Sequence, residues 1–551
     1  MSNACGNTNT CSNTTPTQYP SLFNDVIGPV MVGPSSSHTA ASVRIGGMVR
    51  QFCRGLPKEV VFGFDLEGSL AETYTTQGVD LGLLAGLMGL ETSDPQIAFA
   101  HDHAKQAGLN CRFECGSFGG EHPNTYHIQC TGTDSRTHAI KAVSSGGGMI
   151  EIIEYQGFSL SITGGFYEAL FPCPDGMIPD GLTTQSGAGL QPGTISGGLL
   201  TQSGSDLPPD GTIPGGPLIR SDANLLEHNG AFLLHLRSDQ PLGTLPDEAV
   251  LLSPVLPVSS QLVPGVPFDN WVSAQAWMGG RPMTPAELAV TYESGRSGLT
   301  AAEVFQKMQT LVDRLSQSLV ESPVLSGDVL PVQSHLATAH PLPGAALNEK
   351  IIQNVTRFME IKAAMGVVVA APTGGACGCL PGTVFALAEA LGLGQAAAAE
   401  AMLAGGLVGV FIARNSTFAA EVAGCQAECG AGSGMCAAAC VQLMGGTVHQ
   451  AMDAASMALQ NVLGMVCDPV AGRVEVPCLG KNILCALGGL AAAQMAVCGY
   501  DAVIPLDETI AAMDSVGRSI PRELRCTGLA GLSVTPASKA LEEKLKKLEK
   551  R

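Results

Sequence analysis

Asn482-Ile-Leu-Cys-Ala-Leu-Gly-Gly-Leu-Ala-Ala-Ala-Gln-Met-Ala-Val-Cys-Gly-Tyr500 is nineteen residues without a charge. That length can cross a bilayer. A helix apolar on every side sits either in a membrane or in a protein core. Asn482, Gln494 and three glycines favour the core, and the basic flanks that orient a span are missing. The stretch reads as a central buried helix. Its surroundings agree: from Ala363 to Tyr500 only ten of 138 residues are Asp, Glu, Lys or Arg. The expectation is a largely all-α domain over 267–537. It is followed by a charged amphipathic helix in 538–551, carried by Leu541-Glu-Glu-Lys-Leu-Lys-Lys-Leu548.

Further out, the chain changes character. Val60–Phe64, Asn124–Cys130 and Met149–Tyr155 read as strands, and Ala40–Cys53 and Leu81–Leu90 as helices. Residues 19–171 therefore form an N-terminal α/β domain, and the whole is an α+β multi-domain chain. Residues 1–18 are Ser, Thr and Asn rich and read as a loose tail. Thr184-Gln-Ser-Gly187 recurs as Thr201-Gln-Ser-Gly204, and Pro174-Asp-Gly as Pro209-Asp-Gly. This Gly, Pro, Ser and Thr rich repeat makes 172–266 an insert and linker.

The 551 residues carry 48 Asp and Glu against 29 Lys and Arg, a net charge of −19. Nucleic acid and anionic membranes need clustered cations, so neither is an expected partner. A small molecule is expected, with a homodimer as the default assembly. The N-terminus lacks a basic segment followed by an apolar one, so the expected compartment is the cytoplasm, where structural disulfides are rare. Eighteen cysteines then ask for another explanation, and eleven lie between Cys377 and Cys526.

Cys425, Cys429, Cys436 and Cys440 would fall within an arc of about 60° on a continuous helix. Cys425 and Cys436 would then be about 16 Å apart along its axis, too far for one metal site. At most one or two of them belong to a site. No pair has the Cys-x-x-Cys spacing of zinc ribbons. Loop cysteines suit ligation better. Cys467-Asp-Pro-Val-Ala-Gly472 reads as a turn, Val474-Glu-Val-Pro-Cys478 returns from it, and Cys425 is backed by Gly424. Spacing alone does not select among them.

Gly33-Pro-Ser-Ser-Ser-His-Thr39, Glu121-His-Pro-Asn-Thr125 and Ser144-Ser-Gly-Gly-Gly148 resemble the β domain of iron–sulfur-dependent L-serine dehydratases. Ala371-Pro-Thr-Gly-Gly-Ala-Cys-Gly378, Gly424-Cys-Gln-Ala-Glu428, Cys467-Asp-Pro-Val-Ala-Gly472 and Val476-Pro-Cys478 resemble its α domain, in the family's order. The resemblance implies a 4Fe-4S cluster on Cys425, Cys467 and Cys478 with one open iron, and no pyridoxal phosphate. It implies β-elimination from L-serine to pyruvate and ammonia. Ser36, Ser37, His38 and Thr39 would act in catalysis. Ser35, His122 and Asn124 would contact the substrate. The Gly-rich turn with Thr373, Gly375 and Cys377 opens a helix, Pro381–Leu391, whose N-terminus favours anions, so it reads as a substrate-carboxylate site, with a close-packing glycine turn as the alternative. The structural alternative for the serine loop is a helix N-cap.

Two departures stand out. Gln77 occupies the place of a family histidine in Gly68-Ser-Leu-Ala-Glu-Thr-Tyr-Thr-Thr-Gln-Gly78, and Gln is no base at neutral pH. The chain closes on Lys550-Arg551 where some members carry a cysteine, which leaves Cys526 as the late cysteine that could serve as a further metal ligand. Gln77 keeps an L-cysteine desulfidase of the same cluster type open. A non-catalytic iron–sulfur sensor is the non-enzyme alternative. A pyridoxal-phosphate dehydratase would need a lysine, and the apolar half offers only Lys362 and Lys481, neither in a site-like motif.

Overall fold

The computed structural model describes residues 19–173, 176, 221–243, 245–321, 327–339 and 341–549. The tail at 1–18 and nearly all of the repeat at 173–219 lie outside the described residues.

A short strand, β1 (Val30–Val32), leads to helix α1 (Ala41–Phe52). A six-stranded sheet follows, made of β2 (Glu59–Asp65), β3 (Asn110–Gly116), β4 (Thr125–Thr131), β5 (Thr137–Gly146), β6 (Met149–Tyr155) and β7 (Phe158–Ile162). Its order is β3-β2-β4-β5-β6-β7, parallel between β2 and β3 and antiparallel elsewhere. Helices α2 (Leu70–Thr73), α3 (Val79–Met88) and α4 (Ala100–Gln106) lie between β2 and β3 in the chain. Phe52 of α1, Leu83 and Leu87 of α3, and Phe62, Phe64, Tyr126, Ile140 and Ile152 of the strands share one buried core. The β-branched and aromatic alternation that marked these strands is the face they turn to α1 and α3.

The interval 172–266 is more than a linker. Strands β8 (Tyr167–Pro172), β9 (Ser221–His228), β10 (Ala231–Ser238) and β11 (Val250–Leu252) make an antiparallel sheet in the order β11-β8-β10-β9. Asn229 and Gly230 both have positive φ, 50° and 79°, between β9 and β10. Asn-Gly supplies the left-handed pair that a tight hairpin needs, and this short-range signal escaped the composition-based reading.

The second half holds α5 (Trp271–Met278), α6 (Pro285–Ser297), α7 (Ala301–Glu321), α8 (Ala346–Ala363), strand β12 (Val367–Val369), α9 (Cys379–Ala390), α10 (Gln395–Asn415), α11 (Ala420–Ala423), α12 (Cys429–Leu443), α13 (Val448–Gln460), α14 (Cys478–Val497), α15 (Leu506–Ser519) and α16 (Pro536–Glu549). The central helix is α12, whose Gly430–Val441 run is wholly buried between α9, α10, α13 and α14. Among the described residues, two helices are long and apolar enough to cross a membrane. The apolar window of α10 is 78% buried inside the fold, whereas that of α14, the stretch expected at the centre, is 39% buried. Cys485, Ala486, Gly489, Ala492, Ala493 and Ala496 of α14 face inward, and Leu484 is 60% exposed. Without charges on either side, the sequence could not tell which face finds a neighbour.

The two halves are interlocked. β1 pairs antiparallel with β12, Val30 opposite Val369. Leu22, Phe23, Val26 and Ile27 are buried in the helical core. Glu293 of α6 accepts hydrogen bonds from Ser21 Oγ at 2.9 Å and Leu22 N at 2.8 Å. The Ser35–Thr39 loop and the Thr373–Cys377 turn leave this shared ladder side by side.

Candidate active site

Ser36–Ala40 forms a single π-helical turn that runs into α1. Neither Ser35 nor Ala40 caps it through a side chain, so the N-cap alternative does not account for the serines. They bind elsewhere. Ser36 Oγ accepts from Gly374 N at 3.0 Å across the interface between the halves. Ser37 Oγ donates to Glu421 Oε1 at 3.0 Å. His38 Nδ1 lies 3.0 Å from Ser35 Oγ, 3.1 Å from Ser37 Oγ and 3.4 Å from Glu421 Oε1, and Nε2 lies 3.1 Å from Thr73 Oγ1. Burial holds the His38 pKa below the ordinary histidine value, against the pull of Glu421. Thr39 Oγ1 turns away and donates to Gln77 O at 2.8 Å.

Asn124 and Ser144 enter from the adjoining strands β4 and β5, where Ser144 N donates to Asn124 O at 3.1 Å. Among the described residues, both amide atoms of Asn124, Ser144 Oγ and Glu421 Oε2 are buried with no hydrogen-bond partner. A buried polar atom left unpaired costs about 1–3 kcal/mol. Four such atoms, offering donors and acceptors together, suit a small zwitterion rather than an apolar guest. His122 Nδ1 is occupied, accepting from Asn124 N at 3.1 Å, and burial lowers its pKa while Glu421 opposes.

The opposite wall is the Thr373–Ala376 turn. Thr373 Oγ1 accepts from Ala376 N at 3.1 Å. Gly375 stands where a Cβ would come 3.1 Å from Glu428 Oε1, so a side chain there would press on the Glu428 carboxyl. Burial raises the Glu428 carboxyl well above the usual range, and the charges of Cys425 and Glu421 push the same way. Cys377 faces the other direction, its sulfur 3.9 Å from Met359 Sδ in an apolar cluster, and burial pushes its thiol up to about 11. It makes no polar contact with the residues it was grouped with.

The cysteine-rich floor comes from three loops. Cys425 opens a short 3-10 turn that breaks the helix before α12, because Gly424 (φ 72°) and Glu428 leave helical geometry. The continuous stripe therefore does not exist. Cys467 pairs with the segment after α15: its N–H donates to Leu524 O at 2.8 Å and its carbonyl accepts from Cys526 N at 3.0 Å. Val470 N donates to Val476 O at 2.8 Å and closes the excursion that returns to Cys478, the first residue of α14. The neighbouring thiols of Cys425 and Cys526, together with burial, hold the Cys467 thiol pKa well above the ordinary value. Cys425 is held well below the ordinary thiol pKa by Cys429 and Cys467, and Cys478 is pushed up to about 12 by burial. Lys481 Nζ donates to Val466 O at 2.6 Å and Asp468 at 3.1 Å. Burial disfavours its charge, but Cys425, Cys467, Cys478 and Asp468 raise its pKa. Gln77 Nε2 donates to Cys526 Sγ at 3.5 Å, so Gln77 faces a thiol.

Among the described residues, no three His, Cys, Asp or Glu converge on one point as a single ion would require. A multinuclear cluster takes each thiolate on a different iron, so its ligands surround a volume instead. Three thiols from separate loops beside the half-buried Lys481 ammonium fit that donor set. Cys436 forms a second thiol group with Cys379 and Cys440, deeper in the core. Sequence reasoning missed Glu421, Glu428, Thr73, Asn482 and the site position of Cys429, and set aside Lys481. One signal was available: Glu421, Glu428 and Lys481 are three of the ten charges in the charge-poor stretch, and charges are rarely buried without purpose.

Comparison with known proteins finds relatives of both halves of the chain. The family model described as serine dehydratase alpha chain matches residues 269–533. A probable L-serine dehydratase alpha chain of Bacillus subtilis (strain 168) is 35% identical over 268 residues, 47% of this chain and 89% of the relative. One from Latilactobacillus sakei is 42% identical over 191 residues, 35% of this chain and 91% of the relative. A probable L-serine dehydratase beta chain of Bacillus subtilis (strain 168) is 39% identical over 147 residues, 27% of this chain and 65% of the relative. With alpha-chain relatives covered almost end to end, and a beta chain matched as well, this chain is an enzyme of the L-serine dehydratase family.

Proposed function

We propose that the chain deaminates L-serine to pyruvate and ammonia by β-elimination, with a 4Fe-4S cluster on Cys425, Cys467 and Cys478. The observation that carries this is that Cys425, Cys467 and Cys478, from three loops, all lie within electrostatic reach of Lys481; buried unpaired polar atoms on Asn124, Ser144 and Glu421 add groups able to hold a zwitterion. When bound, such a cluster supplies a Lewis-acidic iron for the departing hydroxyl.

The protein's own groups divide the remaining work. Glu421 Oε2 is an acceptor for the substrate ammonium. Asn124 Nδ2 and Ser144 Oγ are donors for the carboxylate, and the backbone of the Thr373–Ala376 turn closes the same side. His38 is neutral and buried, and it accepts the α-proton, with Glu421 beside Nδ1 to stabilise the imidazolium. Loss of that proton and of the β-hydroxyl leaves aminoacrylate and water. Aminoacrylate tautomerises to an imine, which water hydrolyses to pyruvate and ammonia. The closed interface keeps bulk water from the reacting carbon until then.

The test is anaerobic purification with iron and sulfide quantitation, followed by parallel assays on L-serine, L-threonine and L-cysteine. The expected result is an iron–sulfur protein that forms pyruvate fastest from L-serine and loses activity in air. Sulfide release outpacing serine turnover would make it a desulfidase. An inert iron protein would make it a sensor, and pyridoxal without iron would overturn the cluster.

A further inference from the structure

Cys429 Sγ lies 3.6 Å from Cys425 Sγ. Asn482 Nδ2 lies 3.5 Å from Cys429 Sγ, and it also donates to Gly375 O at 2.8 Å and Cys478 O at 2.9 Å. Asn482 Oδ1 accepts from Cys379 N at 3.1 Å. Asn482 is fully buried on α14, otherwise a helix of apolar and small residues at that depth. One carboxamide thus ties together the glycine turn, the first residue of α14 and the first residue of α12.

The direction of the sulfur contact follows from elementary chemistry. A thiolate bound to iron has no proton, so a hydrogen bond between the two sulfurs must be donated by Cys429. Asn482 Nδ2 has two hydrogens, directed to Gly375 O and Cys478 O, so its 3.5 Å approach to Cys429 Sγ is a weaker branch shared with one of those bonds. The result is a one-way relay from Asn482 through Cys429 to Cys425. Hydrogen bonds to ligand sulfurs draw negative charge away from a cluster and set its potential and hold on iron.

We propose that Asn482 and Cys429 are positioning residues whose hydrogen-bond relay ends on the Cys425 thiolate and locks the Thr373–Ala376 turn to the cluster loops. The inference rests on the cluster reading above and adds two residues that touch neither iron nor substrate.

The test uses anaerobically purified holoenzyme: wild type, Cys429→Ala, Cys429→Ser and Asn482→Ala. Three quantities are measured: iron per chain, the cluster midpoint potential followed by electron paramagnetic resonance, and the rate of iron loss to a chelator. Cys429→Ala keeps near-wild-type iron, shifts the potential negative and loses iron several-fold faster, with KM for L-serine unchanged. Cys429→Ser, whose hydroxyl can still donate, restores both properties toward wild type. Asn482→Ala shifts the potential in the same direction and also raises KM, because the turn is released. If Asn482→Ala does not fold, the Cys429 pair decides alone. Unchanged potential and iron loss in Cys429→Ala overturn the relay and leave the cluster reading intact. Iron already absent from purified Cys429→Ala would make Cys429 a ligand and overturn the relay too. A wild type without iron sinks the cluster reading itself.

Discussion

Ser37 Oγ on the N-terminal half donates a 3.0 Å hydrogen bond to Glu421 Oε1 on the helical half. The same carboxylate oxygen lies 3.4 Å from His38 Nδ1, and its other oxygen is buried without a partner. Glu421 is therefore at once a clasp between the halves and a waiting acceptor. Glu421→Gln keeps the shape and the Ser37 bond but loses the charge. Pyruvate formation from L-serine should fall about 100-fold or more in kcat/KM, the scale of a lost acid–base partner. A fall in Tm without that loss of rate would assign Glu421 to structure alone.

His38 gives a prediction for acid pH. Its folded pKa lies below the free value of 6.5, chiefly through burial. Between the two values the unfolded chain binds a proton that the native protein does not. Stability is therefore fully present above pH 6.5 and declines as pH falls toward the folded pKa. Activity declines on the same limb, because a protonated His38 cannot accept the α-proton. In His38→Asn the stability difference between pH 7 and pH 5 should shrink, as read from urea midpoints. An unchanged slope would mean that another group titrates.

The cysteines separate by location. Cys467→Ala removes a buried thiol whose proton affinity is set by Cys425 and Cys526, and it should purify with little iron. Cys440→Ala removes a fully buried thiol of the deeper group with Cys436. It should keep its iron and cost only about 1 kcal/mol of stability for a small cavity. Iron analysis of the two variants side by side is sufficient, and the reverse pattern would show that the ligands lie in the deeper group.

Glu293 titrates the seam at the other end. Burial raises its pKa from 4.5 to about 7, against Arg296 and the bonds from Leu22 and Ser21. The native state then holds a proton that the unfolded chain releases. This contribution is fully present below pH 4.5 and is lost as pH rises through about 7. The loss is on the order of 3 kcal/mol, at about 1.4 kcal/mol per pKa unit. Glu293→Gln should remove that component from a plot of unfolding free energy against pH. A plot parallel to wild type would assign the dependence to another group, such as Asp25.

The bends that carry the serine loop and Cys425, Cys467 and Cys478 are marked locally, whereas the choice of these three cysteines as expected ligands came from the family resemblance. Short donors crowd Ser35–Thr39, and Cys425, Cys467 and Cys478 sit at glycine- and proline-marked bends. The Asn229–Gly230 hairpin was equally local and was hidden only by the composition around it. Glu421, Asn482 and Cys429 were not legible, because each acquires its role from a partner more than forty positions away or from a helix that breaks. Nothing in a uniform apolar periodicity announces that Gly424 and Glu428 interrupt the run and swing Cys429 back onto Cys425. The exposed face of α14 escaped for the related reason that hydrophobicity records affinity for a neighbour, not the neighbour's side.

Val30–Val32 and Val367–Val369 form a ladder of three residue pairs. Ser35 begins three residues beyond Val32, and Thr373 four beyond Val369. One ladder therefore sets where both the serine loop and the glycine turn begin. A slip of a single residue moves one strand about 3.4 Å along the other, more than the 3.0 Å that joins Ser36 to Gly374. The alignment of the Ser35–Thr39 loop with the Thr373–Cys377 turn is thus a matter of strand register. The gauge that sets it is five valines and a methionine, residues that no search for chemistry would select.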